Sequence, residues 1–522
     1  MAVPGKLNMT LTEQHIGSPK RALAGDNRAV RIAGSVLMLL FGAAAAINFG
    51  AFLNLASLLP MTHLVASVLS LYLLAEAWLY IRRSDAFGLL SPALLALVFH
   101  FFLAYVLGIT GTVFEPRILE RFGNWLPSLD AALAETLILA GVASFAMLRG
   151  YALALRVARR LRRRLERTPL LRRELRFNIV LMLAIQFFYF GLVIYAIDAG
   201  AYGLLSTIET RAQNVNIQQF LNLGLGAGTL SYFLILMRYF EWRAAGRAVP
   251  FIGTLVVIMI GLHVATGALS AFKIQIVLPF VVAGSAYFIA TGRMPLRFIA
   301  LASVALIVSY IVVEPFRAYL GLRDQPPTSI SEAVTSLGTA LELRDQLNHV
   351  SDISLAEAIV SRFDLSGMTA LAIDYVDQGR LSFERRAEFQ DSILFAPILA
   401  YVPRAIWQDK PSYSEGVWFN QNVRGMRHDE TTSVGMGPIG VLYMAGGTVA
   451  VLLGFFGFGV LQALIFEGVG RAGPGGLIIY LSVANPLVII PTSFGPTVTG
   501  VLRMLPVTFV AQYLLLKRSQ HW

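Results

Sequence analysis

YVPRAIWQDKP (residues 401–411) and VWFNQNVRGMRHDETTSVGMGPIG (residues 417–440) close the only long polar run of the chain, which extends from Arg317 to Thr432. Apolar segments of membrane-spanning length lie on both sides of this run, and its last residues lead directly into one of them. The run also gathers tryptophans, tyrosines, cations and carboxylates. We therefore predict one hydrophilic loop between two sets of membrane helices, and we expect the functional site in that loop.

The composition is that of an integral membrane protein. Of the 522 residues, 56% are hydrophobic and 14% are charged, whereas an ordinary globular domain carries about 25% charged residues. The net charge of +11 comes largely from arginines between apolar segments, a pattern typical of cytoplasmic loops, so we expect no nucleic-acid partner. The chain has no cysteine, which excludes disulfides, thiolate metal sites and a cysteine nucleophile.

The apolar runs predict an all-α fold, a polytopic transmembrane helical bundle of about twelve spans, each near the ~20 residues that a bilayer requires. One large extracytoplasmic loop with short helices interrupts the bundle. The predicted spans are 33–53, 60–81, 89–111, 130–148, 177–197, 216–237, 249–267, 274–292, 297–316, 437–466, 474–490 and 496–515.

Four regions follow from this assignment. Residues 1–30 form a polar cytoplasmic tail, and residues 31–316 hold the first nine helices with a basic cytoplasmic loop at 149–176. Residues 317–432 are the extracytoplasmic loop, and residues 433–522 hold the last three helices. The arginines of the short connections then fall on one face, which the positive-inside rule makes cytoplasmic, together with both termini.

Two local patterns leave alternatives open. The basic segment 149–176 is either an amphipathic helix that lies on anionic lipid or a segment that only determines the membrane topology. The positive-inside rule alone explains its arginines. In the polar loop, Ser329 with Glu332 and Ser354 with Glu357 have the spacing of helix capping boxes. We expect each pair to begin a short helix that packs on its neighbour or lies on the membrane.

The polar loop and two helix ends carry the candidate site residues. Cations that can neutralise a pyrophosphate are Lys273, Arg317, Arg404, Lys410 and Arg424. Side chains that can bind a sugar are Trp407, Tyr413, Trp418, Asn420 and Asn422. Groups that can deprotonate an acceptor hydroxyl are Asp409, His428, Asp429 and Glu430. No nucleotide or metal motif is present, so we expect no metal and no cofactor.

Several of these segments resemble the O-antigen polymerase family, the Wzy-type polymerases of oligosaccharide repeat units. The resemblance rests on VPRAIWQDKP, the asparagines that follow it, and TTSVGMGPIGVLYMAGG (residues 431–447). TGALSAFKIQIVLPF (residues 266–280) and VEPFRAYL (residues 313–320) add a cation after small residues and an arginine at a helix exit.

The resemblance implies a GT-C type membrane glycosyltransferase. Such enzymes transfer a growing glycan from undecaprenyl pyrophosphate to a second lipid-linked repeat unit, in O-antigen or exopolysaccharide synthesis. It also implies the bacterial inner membrane, a periplasmic active site, and a flippase and a chain-length regulator as partners. Related O-antigen ligases have a His-Asn pair where this chain has HDETTS from His428, which favours a polymerase. A ligase-like enzyme and a transporter or flippase of lipid-linked sugars remain the alternatives.

Overall fold

The computed structural model describes residues 27–515 apart from 55–56, 118–121, 123–124, 127, 169–170, 172–178, 206–214, 248–249, 324–326, 328, 345, 347–363, 396–397, 399–400, 403–406, 408–414, 430–432 and 489–493. Every regular element within the described residues is a helix. The all-α prediction is therefore confirmed. The predicted tail, residues 1–30, lies almost wholly outside the described part.

The long helices fall in two groups, before and after the polar loop. The first group is α1 (Asn27–Leu53), α2 (Pro60–Arg83), α3 (Pro92–Thr112), α4 (Leu129–Leu165), α5 (Ile179–Asp198), α6 (Val215–Ala244), α7 (Pro250–Leu269), α8 (Lys273–Thr291) and α9 (Leu296–Gly321). The polar loop contains α10 (Ile330–Glu342), α11 (Ser366–Asp377), α12 (Phe383–Leu394) and α13 (Glu415–Asn422). The last group is α14 (Gly437–Gly470), α15 (Pro474–Val488) and α16 (Phe494–Leu515).

The membrane character of the chain follows from these helices. Across the described residues, 9 helices are long and apolar enough to cross a bilayer, namely α1 to α5, α7 to α9 and α14. Helices α6, α15 and α16 lie where the sequence predicts spans, but they do not meet the same length and hydropathy criteria. The total of about twelve spans, and the side on which the loop lies, therefore stay predictions.

Helix α4 differs from its predicted bounds. The sequence predicts a span at 130–148 followed by a separate basic loop, whereas α4 is one continuous helix of 37 residues that runs through the arginines. Alanine, leucine and arginine are all strong helix formers, and no proline interrupts them before Leu165. The first half of the basic segment therefore extends the membrane helix.

Helices α4 and α14 cross at very short range because glycines face each other's backbone. A Cβ added to Gly150 would lie 2.0 Å from the backbone oxygen of Phe456, and one on Gly459 would lie 1.9 Å from that of Met147. Small residues at such crossings are typical of packing between membrane helices. This crossing supports the largest of four hydrophobic clusters among the described residues, which also involves α2, α3, α6, α11 and α15.

A second hydrophobic cluster joins α5, α7, α8, α9 and α10. Helices α7 and α8 form a hairpin whose tight turn contains Ala271 at φ 56°, as the small residues before Lys273 predict. Helix α10 begins with the predicted capping box, because Ser329 Oγ accepts a hydrogen bond from the Glu332 amide at 3.2 Å. The second capping box, Ser354 with Glu357, lies outside the described residues.

Helix α10 packs by its small residues. Its buried positions are Ala333, Ser336 and Ala340. Val334 and Leu341, which the sequence places on an apolar face with Leu337, are 52% and 39% exposed. The alanine face therefore lies against the membrane helices together with Leu337, whereas Val334 and Leu341 remain on the outer surface.

Two polar contacts join neighbouring helices at or near their ends. At one end, the Asp130 carboxylate accepts hydrogen bonds from the amides of Met61 at 3.1 Å and Thr62 at 2.8 Å. At the other end, Arg471 donates two hydrogen bonds to Asp85, each at 2.9 Å. The sequence predicts that Met61, Thr62 and Asp130 lie near the outer side of the membrane and that Asp85 and Arg471 lie on the inner side. Each contact therefore joins residues that are predicted on the same side.

Candidate functional site

The turn after α13 brings three candidate residues together. Helix α13 ends at Asn422, and Gly425 at φ 78° allows the chain to reverse. The Met426 amide then donates to the Asn420 carbonyl at 3.1 Å, and the Asp429 amide donates to the Met426 carbonyl at 3.0 Å. The backbone therefore folds residues 424–429 back over the end of the helix.

Asn420 links Arg424 to Asp429 inside this turn. Arg424 Nη1 donates to Asn420 Oδ1 at 2.9 Å, and Asn420 Nδ2 donates to Asp429 Oδ2 at 3.1 Å. Asn420 is 1% exposed, so its amide is held away from water and both hydrogen bonds have fixed directions. We call Arg424, Asn420 and Asp429 the loop triad.

Arg424 also lies over the ring of Trp125, with its Cζ 5.3 Å from the ring centroid. Burial lowers the pKa of the Arg424 guanidinium from its usual value, and the Asp429 carboxylate opposes that shift. Arg424 Nε is buried and has no hydrogen-bond partner among the described residues. Asn420 and Trp125 therefore position the guanidinium, and its Nε–H is a donor without a partner among the described residues.

Three other predicted residues of this segment take different positions. Trp418 packs between Tyr375 and Phe389, with ring centroids 5.9 Å and 5.5 Å away, and Arg385 stacks on it at 4.7 Å. Asn422 is exposed and donates to the Trp418 carbonyl of its own helix at 2.9 Å. His428 is exposed. Trp418 thus contributes to the packing under the loop triad.

The remaining residues of the predicted loop cluster divide into two sets. Trp407 is described and is 41% exposed. Five predicted site residues lie outside the described part of the chain, namely Arg404, Asp409, Lys410, Tyr413 and Glu430.

A second cationic group lies at the hairpin turn between α7 and α8. Lys273 forms an ion pair with Glu314 of α9, and Lys273 Nζ lies 3.5 Å from the ring centroid of Tyr310. Arg317, one turn further along α9, donates from Nε to the Ala271 carbonyl at 2.8 Å. Lys273 and Arg317 therefore both lie at the hairpin turn, and their role as phosphate contacts stays a prediction.

The two groups of candidate residues belong to different clusters. Trp125, Trp418 and Val423 pack against the largest hydrophobic cluster, whereas Ala271 and Phe316 belong to the second. The candidate cations that the structure describes thus fall in two groups, with Arg424 in the loop triad and Lys273 and Arg317 at the hairpin turn.

Sequence reasoning missed Trp125 and Arg385, which stack against Arg424 and Trp418. Trp125 lies in a connection that the sequence predicts on the outer side, so an aromatic residue there was an available signal. Arg385 gave no such signal, because basic residues are common on exposed helices.

No grouping of three or more histidines and carboxylates suited to a metal ion occurs within the described ranges. Comparison with known proteins gives no match to a family model, to a curated protein or to a solved structure.

Proposed function

We propose that this protein is a membrane glycosyltransferase that polymerises oligosaccharide repeat units linked to undecaprenyl pyrophosphate. The observation that carries the proposal is the loop triad, in which a buried asparagine connects a partly desolvated arginine to a carboxylate. A cation for a leaving phosphate and a base for an incoming hydroxyl are the two groups that this transfer needs.

Arg424 is the proposed contact for the donor pyrophosphate. The Trp125 ring lies against one face of the guanidinium, and Asn420 accepts a hydrogen bond from its Nη1. Its Nε–H has no hydrogen-bond partner among the described residues. Arginine donates from a planar fork that matches phosphate oxygens, and low exposure strengthens the interaction. Arg404 and Lys410 are further proposed contacts from the same loop.

Two cationic groups suit a reaction with two lipid-linked substrates. In a polymerase the donor and the acceptor each carry a pyrophosphate, and only the donor's departs. We assign the acceptor's pyrophosphate to Lys273 and Arg317, which meet at the hairpin turn. The ion pair with Glu314 and the ring of Tyr310 hold Lys273 in place.

Asp429 is the proposed general base. The acceptor oxygen forms a bond to the anomeric carbon of the donor, the bond from that carbon to the pyrophosphate breaks, and its electron pair leaves with the pyrophosphate. The hydroxyl proton passes to the Asp429 carboxylate, which Asn420 orients. Asp409, His428 and Glu430 are the alternative bases. Trp407, Tyr413 and Asn422 are the proposed sugar contacts.

A polymerisation assay tests this function. Purified protein in detergent, supplied with lipid-linked repeat units extracted from its own source, should produce polymer, and Arg424→Ala should abolish it. Arg427→Ala is the matched control, because Arg427 is an exposed arginine in the same turn. No polymer from the unaltered protein, or equal yields from both variants, would refute the proposal.

Transport of lipid-linked sugars is the alternative with least support. A transporter binds its substrate near the middle of the bilayer. Between helices α5 and α7, His263 Nε2 lies 3.2 Å from Gln186 Oε1, and the adjoining cavity has only about 10 Å³ of space. This polar group serves as a link between helices, and the cavity is too small for a sugar.

A further inference from the structure

A cleft of about 700 Å³ opens at the end of the bundle opposite to the loop triad. Its walls are the last turns of α2, the basic half of α4 and the end of α14. Five arginines line it, namely Arg83, Arg149, Arg159, Arg162 and Arg471. We call it the arginine cleft.

The α4 wall has a regular pattern. Its lining residues include Arg149, Ala152, Leu155, Arg159 and Arg162, which recur every three or four positions and therefore lie on one face of the helix. Arginines stand at both ends of this face, and apolar side chains lie between them. Arg160 and Arg163, on the same helix, are exposed and do not line the cleft.

The carboxylates of the cleft are already engaged. Asp85 accepts two hydrogen bonds from Arg471, and Glu467 lies 3.1 Å from Arg471 Nε. Glu76 is 3.9 Å from Arg149. Arg83 and Arg159 have no ion pair within the described part of the chain. The cleft therefore keeps a surplus of positive charge, which favours an anionic ligand.

The surroundings indicate that this anion is attached to a lipid. Leu79, Leu148 and Leu155 line the cleft beside the arginines. On the outer surface of α4, Leu153 and Val157 are 69% and 57% exposed, as expected where a helix faces acyl chains. A volume of about 700 Å³ is within the range of small-molecule sites and large enough for a lipid headgroup.

We propose that the arginine cleft binds the phosphate of an anionic lipid, with Arg83 and Arg159 as its principal contacts. The positive-inside rule assigns this end of the bundle to the cytoplasmic leaflet. Tyr151, whose hydroxyl donates to Glu467 at 3.2 Å, lies in the wall. The site is separate from the loop triad, so it does not depend on the polymerase proposal.

A binding titration tests the site directly. The full-length protein in a non-ionic detergent is titrated with dioctanoyl phosphatidic acid, dioctanoyl phosphatidylcholine and inorganic phosphate. We expect saturable binding of the phosphatidic acid alone. The double variant Arg83→Gln with Arg159→Gln should weaken it at least about tenfold, since two charge-assisted hydrogen bonds to the phosphate are lost.

The matched control removes the same charge outside the cleft. Arg160→Gln with Arg163→Gln should leave the affinity for phosphatidic acid within about twofold of the original, because surface charge acts weakly at a site it does not touch. Equal losses in both double variants would overturn the site in favour of general attraction. Equal affinity for inorganic phosphate would overturn the lipid assignment. Thermal melting of both variants verifies that they remain folded.

Discussion

Arg424 Nη1 donates to the side-chain oxygen of Asn420 at 2.9 Å, from the turn that follows helix α13. The same amide donates from its nitrogen to Asp429 at 3.1 Å. One buried side chain therefore sets the positions of both a cation and a carboxylate.

Asn420→Ala should reduce polymer formation at least about tenfold, since the orientation of two charged groups depends on hydrogen bonds worth about 1.5–3 kcal/mol each. Met426→Ala is the control, because Met426 is 48% exposed in the same turn and is not a proposed substrate contact. We expect Met426→Ala to retain at least half of the activity. Similar yields from the two variants would remove Asn420 from the site.

The hairpin turn predicts an asymmetry between Lys273 and Glu314. If Lys273 contacts a pyrophosphate, Lys273→Met should lower polymer yield about tenfold, since a charged hydrogen bond is lost. Glu314→Gln should retain most of the activity, because the cation remains. Polymer yield and melting temperature are measured for both variants. A purely structural ion pair would instead give equal losses of activity and stability.

The crossing of α4 and α14 predicts sharp sensitivity at one glycine. Gly459→Ala places a methyl group 1.9 Å from the Met147 carbonyl, so the helices must separate, and we expect a loss of about 1–3 kcal/mol in stability. Gly457→Ala, with no atom within 4 Å of the new methyl group, should leave the stability unchanged or raise it slightly. Melting temperatures in detergent compare the two, and an equal effect would contradict the close packing.

Asp85 provides a prediction of pH dependence. Burial alone would raise the pKa of its carboxyl group, but the hydrogen bonds and charge of Arg471 and the Gly88 amide hold it below its usual value. A carboxyl group whose pKa is lower in the folded state stabilises the fold at pH values above its unfolded pKa, which is about 3.9. This stabilisation is lost as the pH falls through the folded pKa.

Asp85→Asn should therefore lower the free energy of unfolding at pH 6 by about 1 kcal/mol, a modest value because Asp85 is partly exposed. The difference from the original protein should shrink as the pH falls below about 4. Melting curves at both pH values measure it. A difference that does not change with pH would show that the charge of Asp85 is not involved.

Local patterns predicted much of this fold. Runs of apolar residues located the long helices, and the Ser329 capping box located the start of α10. The small residues before Lys273 located the hairpin turn. Each of these features depends on residues close together in the chain, so the sequence displays it directly.

Features that depend on distant residues were harder to predict. Trp125 and Arg424 are about 300 positions apart, and nothing in either segment indicates their contact. Trp418 is of a residue type that is common on sugar-binding surfaces, yet its ring packs against Tyr375 and Phe389. The charge of residues 149–176 predicts a cytoplasmic loop, whereas the residues up to Leu165 continue α4, because helix propensity and not charge determines the local conformation.

The central claim is that the loop triad faces away from the cytosol, and cysteine labelling tests it most directly. The chain has no cysteine, so a single introduced one gives no background. Met426 is 48% exposed beside the triad, and Arg160 is exposed at the other end of the bundle. A membrane-impermeant maleimide should label Met426→Cys in intact spheroplasts and Arg160→Cys only after lysis. Labelling of Arg160→Cys in intact spheroplasts, with Met426→Cys protected until lysis, would contradict the account.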